Sequence, residues 1–281
     1  MKKVICVMGP TGSGKTKLSL EIAKHFNGEI INGDSVQIYQ ELNIGSAKIK
    51  KDEMQEIPHH LLSVAKLTDD YTVFNFQIDV RNLIEEIKTP IIVGGSGLYI
   101  KAALYDYEFD PLDQMIPKLS HEEKIKYIND QDPDLELDWK NKRRVDAAYR
   151  NIASGFIKSN KQNKNVPLYD IFMIYLTLDR EILRTRLIKR LDHMIEDGLI
   201  DETKNLQGPT PNVIGYREIG QYLREEKTLD EAKDAIINAS MRFAKRQKTW
   251  FLNQMKPHIY DALDENLTHK IIDDIKEFLG V

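Results

Sequence analysis

The sequence predicts an α/β fold: a parallel sheet core with helices on both faces, interrupted by a helical insertion domain. Three observations predict it. Short apolar runs alternate with segments of helical periodicity, the order expected of a parallel sheet wound with helices. The first three runs end in glycine and small polar residues, in "GPTGSGKT", "GDSVQ" and "GGSGLY", as expected where a backbone must approach a ligand closely. From 106 to 165 the apolar strands vanish and charged, helical text takes over.

Taken in order, "KKVICVMG" reads as the first strand. Its two lysines imitate a signal peptide, but the apolar stretch is short and runs straight into Gly9-Pro10-Thr11-Gly12 with no small-residue cleavage pattern. "KTKLSLEIAKHF" is a helix and "GEIINGDS" a second strand. "FNFQIDVRNLIEEIKT" has apolar residues at helical spacing and leads into the strand "PIIVGGSGLY". The insertion, 106–165, is closed by the polar loop "NKQNKNVP". "YDIFMIYLTLD" returns the chain to the sheet. "REILRTRLIKRLDHMIEDG" is a helix stopped at Gly198, and "LDEAKDAIINASMRFAKRQKTWFLNQM" a long one carrying Arg242, Lys245 and Arg246 on one face. "KIIDDIKEFLG" is a terminal helix. The domain reading is therefore 1–105 with 166–281 as the core and its basic C-terminal helices, and 106–165 as the insertion.

With 281 residues, 41% of them hydrophobic and 30% charged, the chain has the apolar material for a buried core under a wet surface. Its one cysteine, Cys6, sits in an apolar run, which excludes a disulfide framework within the chain and a zinc cluster built from cysteine. No apolar run approaches the ~18 residues of a membrane span. A cytoplasmic protein without membrane contact, and a monomer, is the expectation. The net charge of −4 hides a segregation. Asp106 to Asp138 holds eleven acids against three lysines, Lys142 to Arg190 twelve bases against four acids, and Arg242 to Lys248 four bases and no acid. Polyanions respond to such local fields rather than to net charge.

Gly9-Pro10-Thr11-Gly12-Ser13-Gly14-Lys15-Thr16 fits G-x-x-x-x-G-K-[ST] in full, after a strand and before a helix. The core is thus P-loop NTPase-like. The glycines let successive N–H groups point at one anion, and the helix N-terminus adds its positive end. Lys15 reaches the outer phosphate, and the Thr16 hydroxyl is the candidate ligand for Mg²⁺. ATP hydrolysis fits poorly, because a hydrolase places an Asp at the end of a second apolar strand and "PIIVGGSG" ends in glycine. The well-placed acid is Asp34, expected to face the mouth of the phosphate site from a neighbouring strand. His59 and His60 read as a structural pair or a hydrogen bond across the mouth, since no further metal ligands accompany them.

In order along the chain, "GPTGSGKT", "IINGDSVQIYQELNIGSAK", "IPHHLL", "GGSGLYIK", "NKRRV", "IGYRE" and "RFAKRQKTWF" resemble the tRNA dimethylallyltransferases, over about residues 3 to 252. The resemblance implies transfer of a dimethylallyl group from dimethylallyl diphosphate to N6 of adenosine 37, in tRNAs reading codons that begin with U. The phosphate loop, Gly9 to Thr16, then grips a leaving group that is released as diphosphate. Asp34, in the family's "DS-x-Q" motif, is implied as general base. Lys15, the loop amides and Mg²⁺ at Thr16 stabilise charge on the leaving oxygens. Arg186 and Arg190, one helical turn apart, are clamps for it, and Arg217 contacts diphosphate or tRNA. Asp34, Ser35, Val36, Gln37 and Ser96 form the strip that meets the base, with Gln37 offering both donor and acceptor to its edge. Lys142, Arg143 and Arg144 match the basic tRNA-contacting motif, and Lys245 and Arg246 hold phosphate of the anticodon stem-loop. Trp250 reads as helix core before it reads as a stacking platform.

The chain departs from the family's usual "NADS" at Gly33, which is expected to loosen that turn, and "DAAYRN" follows "NKRRV" in place of the usual text. Two other classes fit the phosphate loop: a P-loop small-molecule kinase, which needs no basic insertion or basic tail, and a nucleotide-binding RNA regulator without catalysis.

Overall fold

In the computed structural model, residues 1–107, 117, 119–153 and 165–281 are described. They form two compact units, Met1–Leu104 with Pro167–Val281, and Tyr105–Val166. The first unit holds β1 (Lys3–Met8), α1 (Lys15–Phe26), β2 (Glu29–Asn32), β3 (His59–His60), α2 (Val73–Glu86), β4 (Pro90–Gly94) and α3 (Gly97–Leu104). The second holds α4 (His121–Gln131) and α5 (Lys142–Ala153). The chain returns to the first for β5 (Asp170–Thr177), α6 (Arg180–Glu196), α7 (Leu199–Lys204), α8 (Tyr216–Leu223), α9 (Leu229–Gln254), β6 (His258–Asp261) and α10 (Leu267–Leu279).

Among the described residues the sheet has six strands in the order β3-β2-β4-β1-β5-β6, every pair parallel. Burial on both faces explains the unbroken apolar runs of β1 and β4. Ile5, Val7, Ile91, Phe172 and Ile174 pack with Leu18, Ile22, Ile271 and Ile275, so α1 and α10 cover one face. Val4, Cys6 and Met8, the alternate residues of β1, are equally buried, and Ile100 of α3 and Ile92 both lie against Gly33, where a Cβ would meet each at 3.2 Å. Burial pushes the Cys6 thiol far above its ordinary value, which makes it an inert core residue.

Two strands were not foreseen. β3 is two residues long, and β6, "HIYD", is a mostly exposed edge strand with no apolar run to announce it. The sheet order also corrects the place of Asp34. The strand it follows, β2, is separated from β1 by β4 rather than adjacent to it.

Helices α6, α7, α8 and α9 build a second core around Leu183, Leu187, Leu191, Leu199, Tyr216, Ile219 and Ile236. Side chains fix where these helices begin. Asp179 accepts from the N–H groups of Glu181 and Ile182 at the start of α6. Thr228 and Glu231 form a reciprocal capping box on α9, a device worth about 1 kcal/mol.

The unit Tyr105–Val166 has its own small core of Ile128, Val145, Ala148, Tyr149 and Ile152 between α4 and α5. Lys124 ties the two helices by an ion pair to Asp146 at 2.8 Å. Asn141 caps α5 by accepting from the Arg144 N–H. The closing loop "NKQNKNVP" lies mostly outside the described residues.

Candidate active site

The phosphate loop runs from the end of β1 into α1, as its local sequence requires. Gly12 and Gly14 have φ of 85° and 93°, a region that side chains with a Cβ rarely enter. The Lys15 ammonium folds back over the loop and donates to the carbonyls of Gly9 (2.9 Å) and Pro10 (3.0 Å). Burial holds its pKa down at about 8, with Asp34 pulling it up and Arg190 pushing it down. Ser13 Oγ is buried in the loop and has no hydrogen-bond partner among the described residues. Arg186 donates to the Gly12 carbonyl at 3.2 Å, which ties α6 to the loop.

Asp34 reaches this loop because two glycines cross. A Cβ on Gly94 would lie 2.1 Å from the Gly33 backbone, so only glycine lets the end of β2 pass so closely over the end of β4. The turn is pinned rather than loose. The Asn32 amide donates to the carbonyls of Asp34 and Leu61, and its oxygen accepts from the Asp34 N–H, all at 3.0 Å. Asp34 Oδ1 in turn accepts from the Val36 N–H at 2.9 Å.

Beside the loop opens a cavity of about 460 Å³. Its lining includes the charged or polar residues Thr11, Asp34, Arg190, Arg217, Arg246 and Gln247. It also includes the apolar Leu187, Leu191, Met194, Leu199, Ile236 and Ile237. Burial lowers the Arg190 pKa, and Asp34 opposes that shift, so the two groups sense each other. Glu218, itself buried, accepts from the Arg217 guanidinium, and Asn212 accepts from it at 3.1 Å, which fixes Arg217 at the wall. Ser96 Oγ accepts from the Ser35 N–H at 2.9 Å and meets the Ser35 hydroxyl at 3.1 Å. A second cavity of about 350 Å³ shares Ser35, Ser96, Phe243, Arg246 and Gln247 with the first.

The expected residues thus divide. Thr11, Asp34, Ser35, Val36, Ser96, Arg190, Arg217 and Arg246 line the main cavity. Lys15 and Arg186 lie against the phosphate loop itself. Gln37 is not part of the cavity wall. Its amide nitrogen is committed to the carbonyls of Ser46 (3.1 Å) and Ala47 (3.4 Å), so it has no donor left for a base edge. Lys245 is exposed on α9, away from the cavity lining. Lys142 and Arg144 are exposed on α5 of the other unit, and the Arg143 side chain lies outside the described ones.

Phe251 is the buried core residue of its pair. Trp250 is partly exposed, lines the second cavity, and packs so closely on Gly97 that a Cβ there would meet its ring at 2.3 Å. His59 and His60 lie in β3, bonded to the Ile57 carbonyl and to Glu29 at 2.8 and 2.7 Å, and neither lines the cavities.

Among the described residues no group of three or more His, Cys, Asp or Glu can hold a metal. The exposed Thr16 hydroxyl at the start of α1 is a single oxygen ligand. That donor set is compatible with Mg²⁺ held mainly by substrate phosphates and water. No helix among the described residues is long and apolar enough to cross a membrane.

The family model for IPP transferase matches residues 37–254. A tRNA dimethylallyltransferase of Acholeplasma laidlawii is 58% identical over the full length of both chains. One of Phytoplasma australiense is 46% identical over 99% of each. Among solved structures, a tRNA delta(2)-isopentenylpyrophosphate transferase of Staphylococcus epidermidis aligns with a TM-score of 0.75 at 30% identity, over 100% of this chain and 99% of that one. A eukaryotic dimethylallyltransferase described as acting on tRNA aligns with a TM-score of 0.86 at 25% identity, over 100% of this chain and 80% of that one.

Proposed function

Because the chain belongs to the IPP transferase family, we propose that it transfers a dimethylallyl group from dimethylallyl diphosphate to N6 of adenosine 37 in tRNAs reading codons that begin with U. The observation that carries this reading is the mixed wall of the main cavity. Its lining combines Thr11 of the phosphate loop, Asp34 and Arg190 with the aliphatic Leu187, Leu191, Met194 and Ile236, and Asp34 interacts with both Arg190 and Lys15. A donor with an anionic head and a hydrocarbon tail matches that wall. A nucleotide hydrolase would need an acid at the end of β4, where Val93 and Gly94 stand instead.

The residues then take these roles. The loop amides, Lys15, Arg186 and Arg190 hold the diphosphate. The N6 nitrogen attacks C1 of the prenyl group as the C1–O bond breaks, and diphosphate leaves with the bonding pair. Asp34 takes the N6 proton. Mg²⁺, when bound beside Thr16, supplies charge neutralisation to the phosphates. Extruding the adenine costs a few kcal/mol of stacking. Trp250, Arg246 and Ser96 meet the flanking nucleotides, while Lys245, Lys142, Arg143 and Arg144 hold backbone phosphate. The enzyme works as a cytoplasmic monomer.

Diphosphate release that requires both dimethylallyl diphosphate and tRNA tests this reading. Phosphoryl transfer from ATP to a small acceptor contradicts it.

Two further outcomes are expected. Donor affinity of the free enzyme falls as pH rises through about 8, because Lys15 is a charged ammonium below that value and neutral above it. Calorimetric titration of the donor on both sides of that pH checks this, and a flat profile contradicts it. Replacing Arg143 and Arg144 together by glutamine lowers the slope of log tRNA affinity against log salt by up to ~2, about one unit per lost phosphate contact. An unchanged slope means that neither touches phosphate.

A further inference from the structure

The loop of residues 43–47 forms part of the main cavity wall through Gly45, Ser46 and Ala47, yet it is held from far along the chain. The Glu202 carboxylate of α7 accepts from three successive N–H groups, those of Asn43 (3.2 Å), Ile44 (2.9 Å) and Gly45 (3.1 Å). It also accepts from the Tyr216 hydroxyl at 2.5 Å, and that hydroxyl accepts from the Gly45 N–H at 3.1 Å. Convergent N–H groups around one anion make a strong, directional clamp. The clamp admits no side chain at position 45, where a Cβ would lie 2.6 Å from the Tyr216 ring. Further along the loop, the Gln37 amide donates to the Ser46 and Ala47 carbonyls. Lys48 anchors the end, donating to the Tyr39 carbonyl (2.6 Å), Ser63 Oγ (2.8 Å) and Asn43 Oδ1 (3.0 Å).

We propose that Glu202, with Tyr216, is a positioning residue for the acceptor base: it sets the 43–47 loop as the wall against which the adenine is placed. The proposal rests on the function given above. The loop cannot serve the donor's diphosphate. Its N–H groups at 43, 44 and 45 are consumed by Glu202, and the carboxylate behind them repels an anion. The surface it gives the cavity, Gly45, Ser46 and Ala47, carries no charge and suits a neutral base.

The test uses the full-length protein, dimethylallyl diphosphate and an unmodified tRNA substrate. Glu202→Gln keeps the shape and one acceptor oxygen but removes the charge. Tyr216→Phe keeps the carboxylate and removes one donor. In Glu202→Gln, kcat/KM for tRNA is expected to fall ~10–100-fold, the scale of a misplaced reactant. Donor affinity, titrated without tRNA, stays within about twofold of wild type in the same scale of comparison. Tyr216→Phe shows a smaller loss of the same kind, and it carries the test if Glu202→Gln does not fold. Unchanged kcat/KM for tRNA in a folded variant overturns the proposal, as does a loss of donor affinity as large as the loss of tRNA turnover. An active wild type beside unchanged variants removes this proposal alone, whereas a wild type that transfers no prenyl group removes the functional reading with it.

Discussion

Replacing Asp34 by asparagine lowers turnover by ~10²–10⁴-fold, the range for a lost general base, and leaves tRNA binding in place. Asparagine keeps the shape and the oxygen that accepts from the Val36 N–H, so the Asn32–Asp34 turn survives. What is lost is a group able to take the N6 proton while the C–N bond forms. The same change removes the negative charge that raises the pKa of both Lys15 and Arg190. The inflection in donor binding set by Lys15 therefore moves to lower pH in this variant. Single-turnover rates at saturating donor, with tRNA affinity measured by filter binding, check the first part. Full turnover in the variant excludes Asp34 as the base.

The second large effect falls on the donor. Lys15→Ala lowers kcat/KM for dimethylallyl diphosphate by ~10²–10³-fold, the cost of removing one preorganised group from a developing anion, and changes tRNA affinity little. At rest the ammonium is held by the Gly9 and Pro10 carbonyls. It has only to leave those carbonyls to meet a phosphate seated in the loop, so its charge is in place before the C1–O bond lengthens. Arg186 and Arg190 remain in the variant, which is why activity is reduced rather than abolished. Equal losses for donor and tRNA refute this division of labour.

Local chemistry was legible in the sequence and distant contacts were not. The phosphate loop could be read because an anion held by backbone N–H groups demands glycines and a lysine within eight consecutive residues. Asp34 could be read because a strand's end announces itself by glycine and small polar residues. Its distance from β1 could not, since strand order depends on pairings that the sequence does not print. Gln37 was expected to face the base, yet its amide serves the 43–47 loop, a partner chosen by tertiary packing. Glu202 gives no signal, and Tyr216 stands inside "IGYRE" without a role, because their meaning lies in contacts with a loop some 158 residues earlier in the chain. β6 was missed because an exposed edge strand needs no apolar run. Trp250 reads as helix core from the sequence, whereas in the structure the neighbouring Phe251 is fully buried and Trp250 stays partly exposed at the second cavity.

The central claim is that the phosphates gripped by residues 9–16 belong to a leaving group and that a tRNA adenine receives the prenyl chain. The most direct measurement mixes the purified protein, Mg²⁺, dimethylallyl diphosphate and an unmodified tRNA with adenosines at 36 and 37, then weighs the tRNA and its nuclease fragments by mass spectrometry. A gain of one prenyl unit, confined to the anticodon-loop fragment and lost in Asp34→Asn, is the result expected. An unmodified tRNA beside an active reference enzyme would contradict the account.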